Sequence, residues 1–491
     1  MGLNIDRDHF EEDDYARFSQ RLREDVRALA ELLSRERFGV GAQSLGAELE
    51  MSMVGANCRP RPINERVLAD TCDPRFTVEI NRFNLECNTL PSALTGTPFS
   101  SLGKQLDECL ARLRAIARVH DARIALTGIL PTLTAEDLES SAMTDLPRYR
   151  ALSSGIRRLR GEPFHVRIDG EDPLDIHCDD VTYEGANTSL QIHLRVNPSE
   201  FAAVYNAVQL ATAPALAVSV NSPTFLGHRL WEETRVALFK QTVDDRPPNH
   251  GPRRGVPRVC FGLGWLKRGA LELFEESVEL HEPLLPVMTD EDPLAVTRAG
   301  GIPLLAELRL HQGTVWRWNR AVYDPAEGGH LRIEMRALPS GPTVADMMAS
   351  ATFLVGLALE LSRSPALLDS VLFEVAECNF YRAAQHGLAA ELLWPQGKGL
   401  CAIGARELVH ELLPVAERGL LHAEIDAGEC ERLLTIIGRR ASTGQTGAQW
   451  QRSRLAAIED KLGRKEALAC MLGEYLDHAE LGAPVHTWPI P

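Results

Sequence analysis

A chain of 491 residues with 44% hydrophobic and 24% charged residues can bury a large core, and its composition is that of an ordinary globular protein. Its 68 acidic against 52 basic side chains give a formal charge of −16, which repels a phosphate backbone over most of the surface and argues against general nucleic-acid binding. Residues 1–12 carry no apolar leader, the longest apolar run (Ala207 to Val220) contains Pro214 and is too short to span a bilayer, and ten scattered cysteines form no C-x-x-C pair. The expectation is a cytoplasmic protein, without membrane contact, whose thiols are free and buried.

Between Asp14 and Arg37, Phe18, Leu22, Val26, Leu29 and Leu33 fall at helical spacing and predict an amphipathic helix. After the turn region of Gly39, Gly41 and Gly46, the stretch Gly46–Met53 alternates without a break: Ala47, Leu49, Met51 and Met53 share one face, and Glu48, Glu50 and Ser52 the other. Two carboxylates side by side repel each other and need either bulk water or a cation. A second strand region runs from Phe76 to Asn81 and from Asn84 to Asn88. Glu79 and Glu86 have opposite parity, so a turn or bulge at 81–84 is required to bring them to one side.

Thr97-Pro98 opens a helix with the stripe Leu102, Leu106, Leu110, Leu113 and Ala117, and a strand follows from Arg123 to Ile129. Ser189–Val196 alternates again, with Gln191, His193 and Arg195 on its polar face, and Asn197-Pro198 starts a helix bearing Phe201, Val204, Tyr205 and Val208. The segment Asp244–Pro257, with Arg246, Arg253, Arg254 and then Arg258, reads as a solvated loop or an anion-facing flap. Gly262-Leu263-Gly264-Trp265-Leu266-Lys267 misses the third glycine of a dinucleotide motif, and no G-x-x-x-x-G-K-S/T occurs. A fourth alternating strand, Leu331–Leu338, presents Arg332, Glu334 and Arg336. Helical patterns cover 345–363, 366–392, 405–418, 422–439 and 448–477, and Leu481–Pro491 reads as a tail, mobile unless docked. The division expected is a helix at 1–37, a catalytic sheet-and-helix core at 38–360, a helical part at 361–480 packed on that core, and a tail at 481–491.

Singly, each polar strand face could meet water. Together they carry Glu48, Glu50, Glu79, Glu86 and Glu334 with Gln191, His193, Arg332 and Arg336, and no lysine. Carboxylates with an amide and an imidazole suit oxygen-preferring divalent cations, and arginines suit phosphate or carboxylate oxygens. A metal hydrolase is disfavoured because H-E-x-x-H is absent, and His177-Cys178-Asp179-Asp180 reads as a loop with incidental polar residues.

The ordered set of Gly46-Ala47-Glu48-Leu49-Glu50, Glu79 and Glu86, Gln191-Ile192-His193, Asn221-Ser222-Pro223 and Arg332-Ile333-Glu334-Met335-Arg336 resembles glutamate–cysteine ligases and their carboxylate–amine ligase relatives over roughly residues 40 to 450. The resemblance implies an α+β fold: a curved, largely antiparallel glutamine-synthetase-like sheet forming an active-site funnel, backed by helices, with a mostly helical C-terminal part. It implies ATP and two or three Mg²⁺, held by Glu48, Glu50, Glu79, Glu86, Gln191 and Glu334. It places Arg336, Arg235 and Arg320 against reacting groups and Arg332, Arg382 and His193 against cofactor, with His193 either a metal ligand or a substrate contact. The implied reaction joins a carboxylate, the γ-carboxylate of glutamate in the family, to an amine, cysteine in the family, through an acyl phosphate. A different amine or amino acid, or a nucleotide-sensing relative without catalysis, is the alternative. The implied partners are amino acids and ATP, with homo-oligomerisation open. Thr443–Ala448 is either a loop closing over substrate or a plain interhelical connection.

Overall fold

The computed structural model describes residues 5–247, 255–396 and 399–490. Its centre is an antiparallel sheet built from β1 (Ser44–Val54), β2 (Phe76–Val78), β3 (Asn84–Asn88), β4 (Ser92–Ala93), β5 (Arg123–Ala125), β8 (Leu190–Val196), β11 (Asn319–Asp324) and β12 (His330–Met335). Hairpins β6 (Phe164–Ile168) with β7 (Leu174–Cys178), β9 (Thr224–Phe225) with β10 (His228–Arg229), and β13 (Glu391–Gln396) with β14 (Gly399–Gly404) stand outside it. The main order is β11-β12-β8-β1-β3-β2, with β4 and β5 also paired to β1, and the sheet curls into a half-barrel.

The alternation read from the sequence decides which face is dry. Ala47, Leu49, Met51 and Met53 on β1, Leu190, Ile192, Leu194 and Val196 on β8, and Leu331, Ile333 and Met335 on β12 are all buried. Helices Phe201–Ala217, Val344–Leu361 and Ala405–His422 pack on one another on this side. Val344–Leu361 is, among the described residues, the one helix long and apolar enough to cross a membrane, but 78% of it is buried inside the protein, as a core helix requires. Its backbone touches Ala405–His422 through two glycines: a Cβ on Gly419 would lie 2.1 Å from the Gly356 carbonyl oxygen, so only glycine permits this approach.

Several expectations change. The strand expected over 76–81 ends at Val78, and the chain turns back with Asn84 N–H donating to the Asn81 carbonyl at 2.8 Å. The strand expected over 123–129 is three residues long, and β11 was not anticipated. The helix expected over 366–392 is Pro365–Asp369 and Phe373–His386, followed by β13; its short apolar runs fit either period. Gly463, at φ 78°, splits the last pattern into Gly447–Leu462 and Arg464–Leu481. His177 and Cys178 lie in β7 and not in a loop. The cysteines are free, but Cys72, Cys378 and Cys401 are exposed. The tail is docked: Val485 N–H donates to the Asp346 carboxylate, and Trp488, 4% exposed, packs against Trp450 and Tyr475. Gln445 Nε2 donates to the Val485 carbonyl at 2.7 Å and the Trp488 carbonyl at 2.9 Å, so residues 444–446 form a buried connection between helices Ala427–Thr443 and Gly447–Leu462.

Candidate active site on the polar face of the sheet

The pairing register converts four separate strand patterns into one surface. Across β8 and β1, Gln191 stands opposite Glu48; across β1 and β3, Glu50 stands opposite Glu86; across β12 and β8, Glu334 stands opposite His193; and β11 adds Arg320 opposite Glu334. Thr77 pairs with Glu86, so Glu79, two residues further along, shares that face. The turn after β2 thereby reconciles the parity of Glu79 and Glu86.

One half of this surface is compensated by arginine. Arg320 grips both oxygens of Glu334, through Nε and through Nη2 at 2.9 Å, and Arg336 Nη1 lies 3.3 Å from Glu334 Oε1. Burial would raise the Glu334 carboxyl, but Arg320 and Arg336 outweigh it and hold the group well below the usual carboxylate range. His193 Nε2 lies 3.1 Å from Glu48 Oε1 and 3.8 Å from Glu334 Oε1. Burial likewise pushes Glu48 up, and His193 overcomes it, leaving Glu48 below its ordinary value.

In the other half, burial and like charge outweigh the opposing pull of Arg336 on Glu50 and Glu184 and of Arg148 on Glu79. Burial first, then the neighbouring Glu86, Glu50 and Glu184, push Glu79 far above its ordinary value. Glu86 rises to about 7, through burial and then Glu48 and Glu50, although its Oε1 accepts from Asn88 Nδ2 at 2.7 Å and Thr77 Oγ1 at 3.2 Å. Glu184 rises to about 8 through burial and Glu50. Burial also raises Glu50, yet its oxygens are well served: Oε2 accepts from Ser189 N–H at 2.7 Å and Oγ at 2.9 Å, and Oε1 from Gln191 Nε2 at 2.9 Å.

The donor set fits a divalent cation. One imidazole nitrogen and one oxygen each from Glu48 and Glu334 lie within 4.8 Å of one another, and both nitrogens of His193, 6% exposed, lack an aligned hydrogen bond. A buried imidazole between two carboxylates is a donor set that an ion can complete. The upward shifts of Glu79, Glu86 and Glu184 are those of buried carboxylates crowded by like charge, which a bound cation would relieve.

Other expected residues take different places. Gln191 bridges, with Nε2 on Glu50 and Oε1 accepting from Arg336 Nη1 at 2.6 Å, so its oxygen is already engaged by a protein cation. Arg235, 3% exposed, spends its guanidinium on Glu233 and the carbonyls of Arg336 and Ala337; it braces the end of β12 from beneath and offers no free edge to a phosphate. Arg332 shares the polar face at its rim and pairs with Asp324 at 3.3 Å. Arg382 is exposed on helix Phe373–His386 and donates to the Glu391 carbonyl; no contact joins it to the carboxylates among the described residues. Arg246 pairs with Asp244, and Arg258, fully buried, with Asp245, so neither is an anion-facing flap residue; Arg253 and Arg254 lie outside the described residues. Glu184 was missed because it sits in the short turn helix Val181–Ala186, where no periodicity marks a face.

The sequence matches the family described as Glutamate-cysteine ligase family 2 over residues 44–469. No curated protein matches it significantly. A crystal structure of glutamate–cysteine ligase from Francisella tularensis in complex with AMP resembles the fold at TM-score 0.52 and 13% identity, covering 92% of this chain and 91% of that one. A bifunctional glutathione synthetase from Pasteurella multocida aligns at TM-score 0.46 and 12% identity over 94% of this chain and 55% of that one. At 13% identity the likeness to the Francisella tularensis enzyme is one of fold.

Proposed function

We propose that this chain, which belongs to glutamate–cysteine ligase family 2, is an ATP-dependent carboxylate–amine ligase working on the polar face of its sheet. The observation that carries the reading is the split surface: a cation-ready group of Glu48, His193 and Glu334 beside Glu50, Glu79, Glu86 and Glu184, flanked by Arg320 and Arg336.

Glu48, His193 and Glu334 would hold one Mg²⁺, and Glu79, Glu86 and Glu184 further ions, with Glu50 lending its charge from between them. Bound there, Mg²⁺ would offset charge on the β- and γ-phosphates of ATP. Arg336 stands between Glu334 and Glu50, where its guanidinium can stabilise charge developing on a transferred phosphoryl group. Arg320 is committed to Glu334 and to the Gln312 carbonyl at 2.8 Å, so it orients the carboxylate and leaves phosphate contact to Arg336. The substrate carboxylate, in this reading the γ-carboxylate of glutamate, attacks the γ-phosphorus, ADP leaves, and the amine, in this reading cysteine, displaces phosphate from the acyl phosphate. The chain's own contribution is to position and neutralise, so no side-chain nucleophile is needed.

The test is incubation with Mg·ATP and pairs of amino acids, following ADP, phosphate and product mass. Condensation of glutamate with cysteine supports the full reading, and another product keeps the ligase class while replacing the substrates. Nucleotide binding without ADP release under any pair would overturn it in favour of a sensor.

A further inference from the structure

The β6–β7 hairpin, outside the main sheet, carries a cluster that the ligase reading leaves unused. Its inward positions Phe164, Val166, Ile168, Leu174 and Cys178 are buried, which fixes the backbone and turns His165, Arg167, Asp175 and His177 outward together. The run His177-Cys178-Asp179-Asp180 is therefore not itself a ligand set: Cys178 faces the core, and burial pushes its thiol up to about 12, so it offers no thiolate. The register assembles a different one. His165 stands directly opposite His177, and their rings stack 4.4 Å apart at an interplanar angle of 4°. Asp175, two residues before His177 on the same face, has Oδ1 2.7 Å from His165 Nε2. His165 first, then Arg167 and His177, hold the Asp175 carboxyl below its ordinary value, so it stays an anion. One nitrogen from each ring and one Asp175 oxygen lie within 4.8 Å of one another. Donor atoms around a tetrahedral ion stand about 3.3 Å apart, so shifts of about 1.5 Å or less in exposed side chains gather all three. A surface ion pair accounts for His165 and Asp175 but gives His177 no part. Two imidazoles with one carboxylate suit Zn²⁺ and its neighbours in the transition series, and suit Mg²⁺ poorly, since Mg²⁺ takes oxygen.

We propose that His165, Asp175 and His177 bind a divalent transition-metal ion of the zinc class, with water completing its coordination, and that the ion clips β6 to β7. A two-stranded hairpin is marginal by itself, and a chelate spanning both strands holds it closed. The site shares no residue with the carboxylate face, so it goes beyond the ligase reading and stands or falls independently of it.

The experiment is calorimetric titration of the metal-free full chain with Zn²⁺, with and without millimolar Mg²⁺. His193→Ala takes the imidazole from the carboxylate face and leaves the hairpin as it is; this variant is expected to bind Zn²⁺ with Kd below about 10 µM in either condition. Hydrogen exchange of the β6 and β7 amides is expected to slow by about tenfold or more once Zn²⁺ is bound. Adding His165→Ala and His177→Ala to that variant is expected to weaken binding by at least about tenfold, and the same pair in the parent to remove about one equivalent of bound Zn²⁺. Both side chains are exposed, so these substitutions are expected to leave the fold intact. Absence of Zn²⁺ binding in both the parent and His193→Ala, binding unchanged by His165→Ala with His177→Ala, or loss of the His193→Ala site to Mg²⁺ would overturn the proposal. None of these measurements reads ADP release, so each outcome leaves the ligase reading where it stands.

Discussion

Glu334 and Glu79 are both glutamates half or fully withdrawn from water on one sheet face, yet their environments drive them in opposite directions. Glu334 has two guanidiniums within reach and stays charged; Glu79 faces Glu86, Glu50 and Glu184 and favours its proton. Burial is common to both, so the partner's sign decides. The difference separates a half whose charge is neutralised by the protein itself from a half that requires something from solution.

The largest break in that comparison is Glu334→Gln. It strands Arg320 without its counter-charge and takes from Arg336 the nearest of the carboxylates around it, and we expect turnover to fall by roughly 10²–10³ and the metal-free protein to lose on the order of 3 kcal/mol in chemical denaturation. Glu86→Gln acts in the opposite sense. It removes a charge that nothing compensates, so the metal-free protein gains on the order of 1 kcal/mol at pH 8, while the Mg²⁺ concentration for half-maximal ADP release rises by about tenfold or more. Loss of metal-free stability in Glu86→Gln would erase the distinction between the halves.

The pH dependence separates them next. Glu86 and Glu184 have folded values raised to about 7 and about 8, so their contribution to stability is complete below the ordinary value near 4.5 and is lost as pH rises through the folded values. Glu334, depressed, contributes above its ordinary value and loses that contribution only in strong acid. Metal-free melting temperature should therefore fall between about pH 5 and 8, and the increment from Mg²⁺ should grow over the same interval; an increment independent of pH would remove the acidic half from metal binding. The smallest effect on ion dependence is a control away from the sheet face. Asp25, fully buried near Glu307 with Leu308 N–H on its Oδ2 at 2.9 Å, is raised to about 8 by burial and then by Glu307. Asp25→Asn should remove the part of the melting-temperature decline between about pH 4 and 8 that persists with Mg²⁺, and leave the Mg²⁺ requirement unchanged.

The sequence exposed the parts of this site that periodicity controls. Glu48 and Glu50, Gln191 and His193, and Arg332, Glu334 and Arg336 fall on alternating strands whose other faces are apolar, so their common orientation followed from a period of two. Asn319–Asp324 alternates in burial just as regularly, but Ala321, Val322 and Tyr323 are consecutive apolar residues and the buried Asn319 is polar, so no period of two marks β11 or puts Arg320 opposite Glu334. Arg235 was misplaced for a different reason: an arginine that braces two backbone carbonyls looks, in sequence, like one that meets a phosphate. Glu184 had no signal, since a turn helix presents no repeating face. The helices beyond residue 361 were legible as apolar periodicity, but the position of a break depends on single residues such as Gly463.

The register of β1 carries chemical information beyond its apolar face. A slip of two residues against β3 would keep Ala47, Leu49, Met51 and Met53 inward and leave the core nearly satisfied, while carrying Glu50 away from Glu86. Oil and water cannot tell those two pairings apart. Ser52 and Asn84 can: both are 1% exposed, they face each other in the observed register, and Asn84 Nδ2 donates to Ser52 Oγ at 3.1 Å. Misregistered chains would bury both groups unpaired, so this one amide–hydroxyl contact proofreads the alignment that sets Glu50 against Glu86.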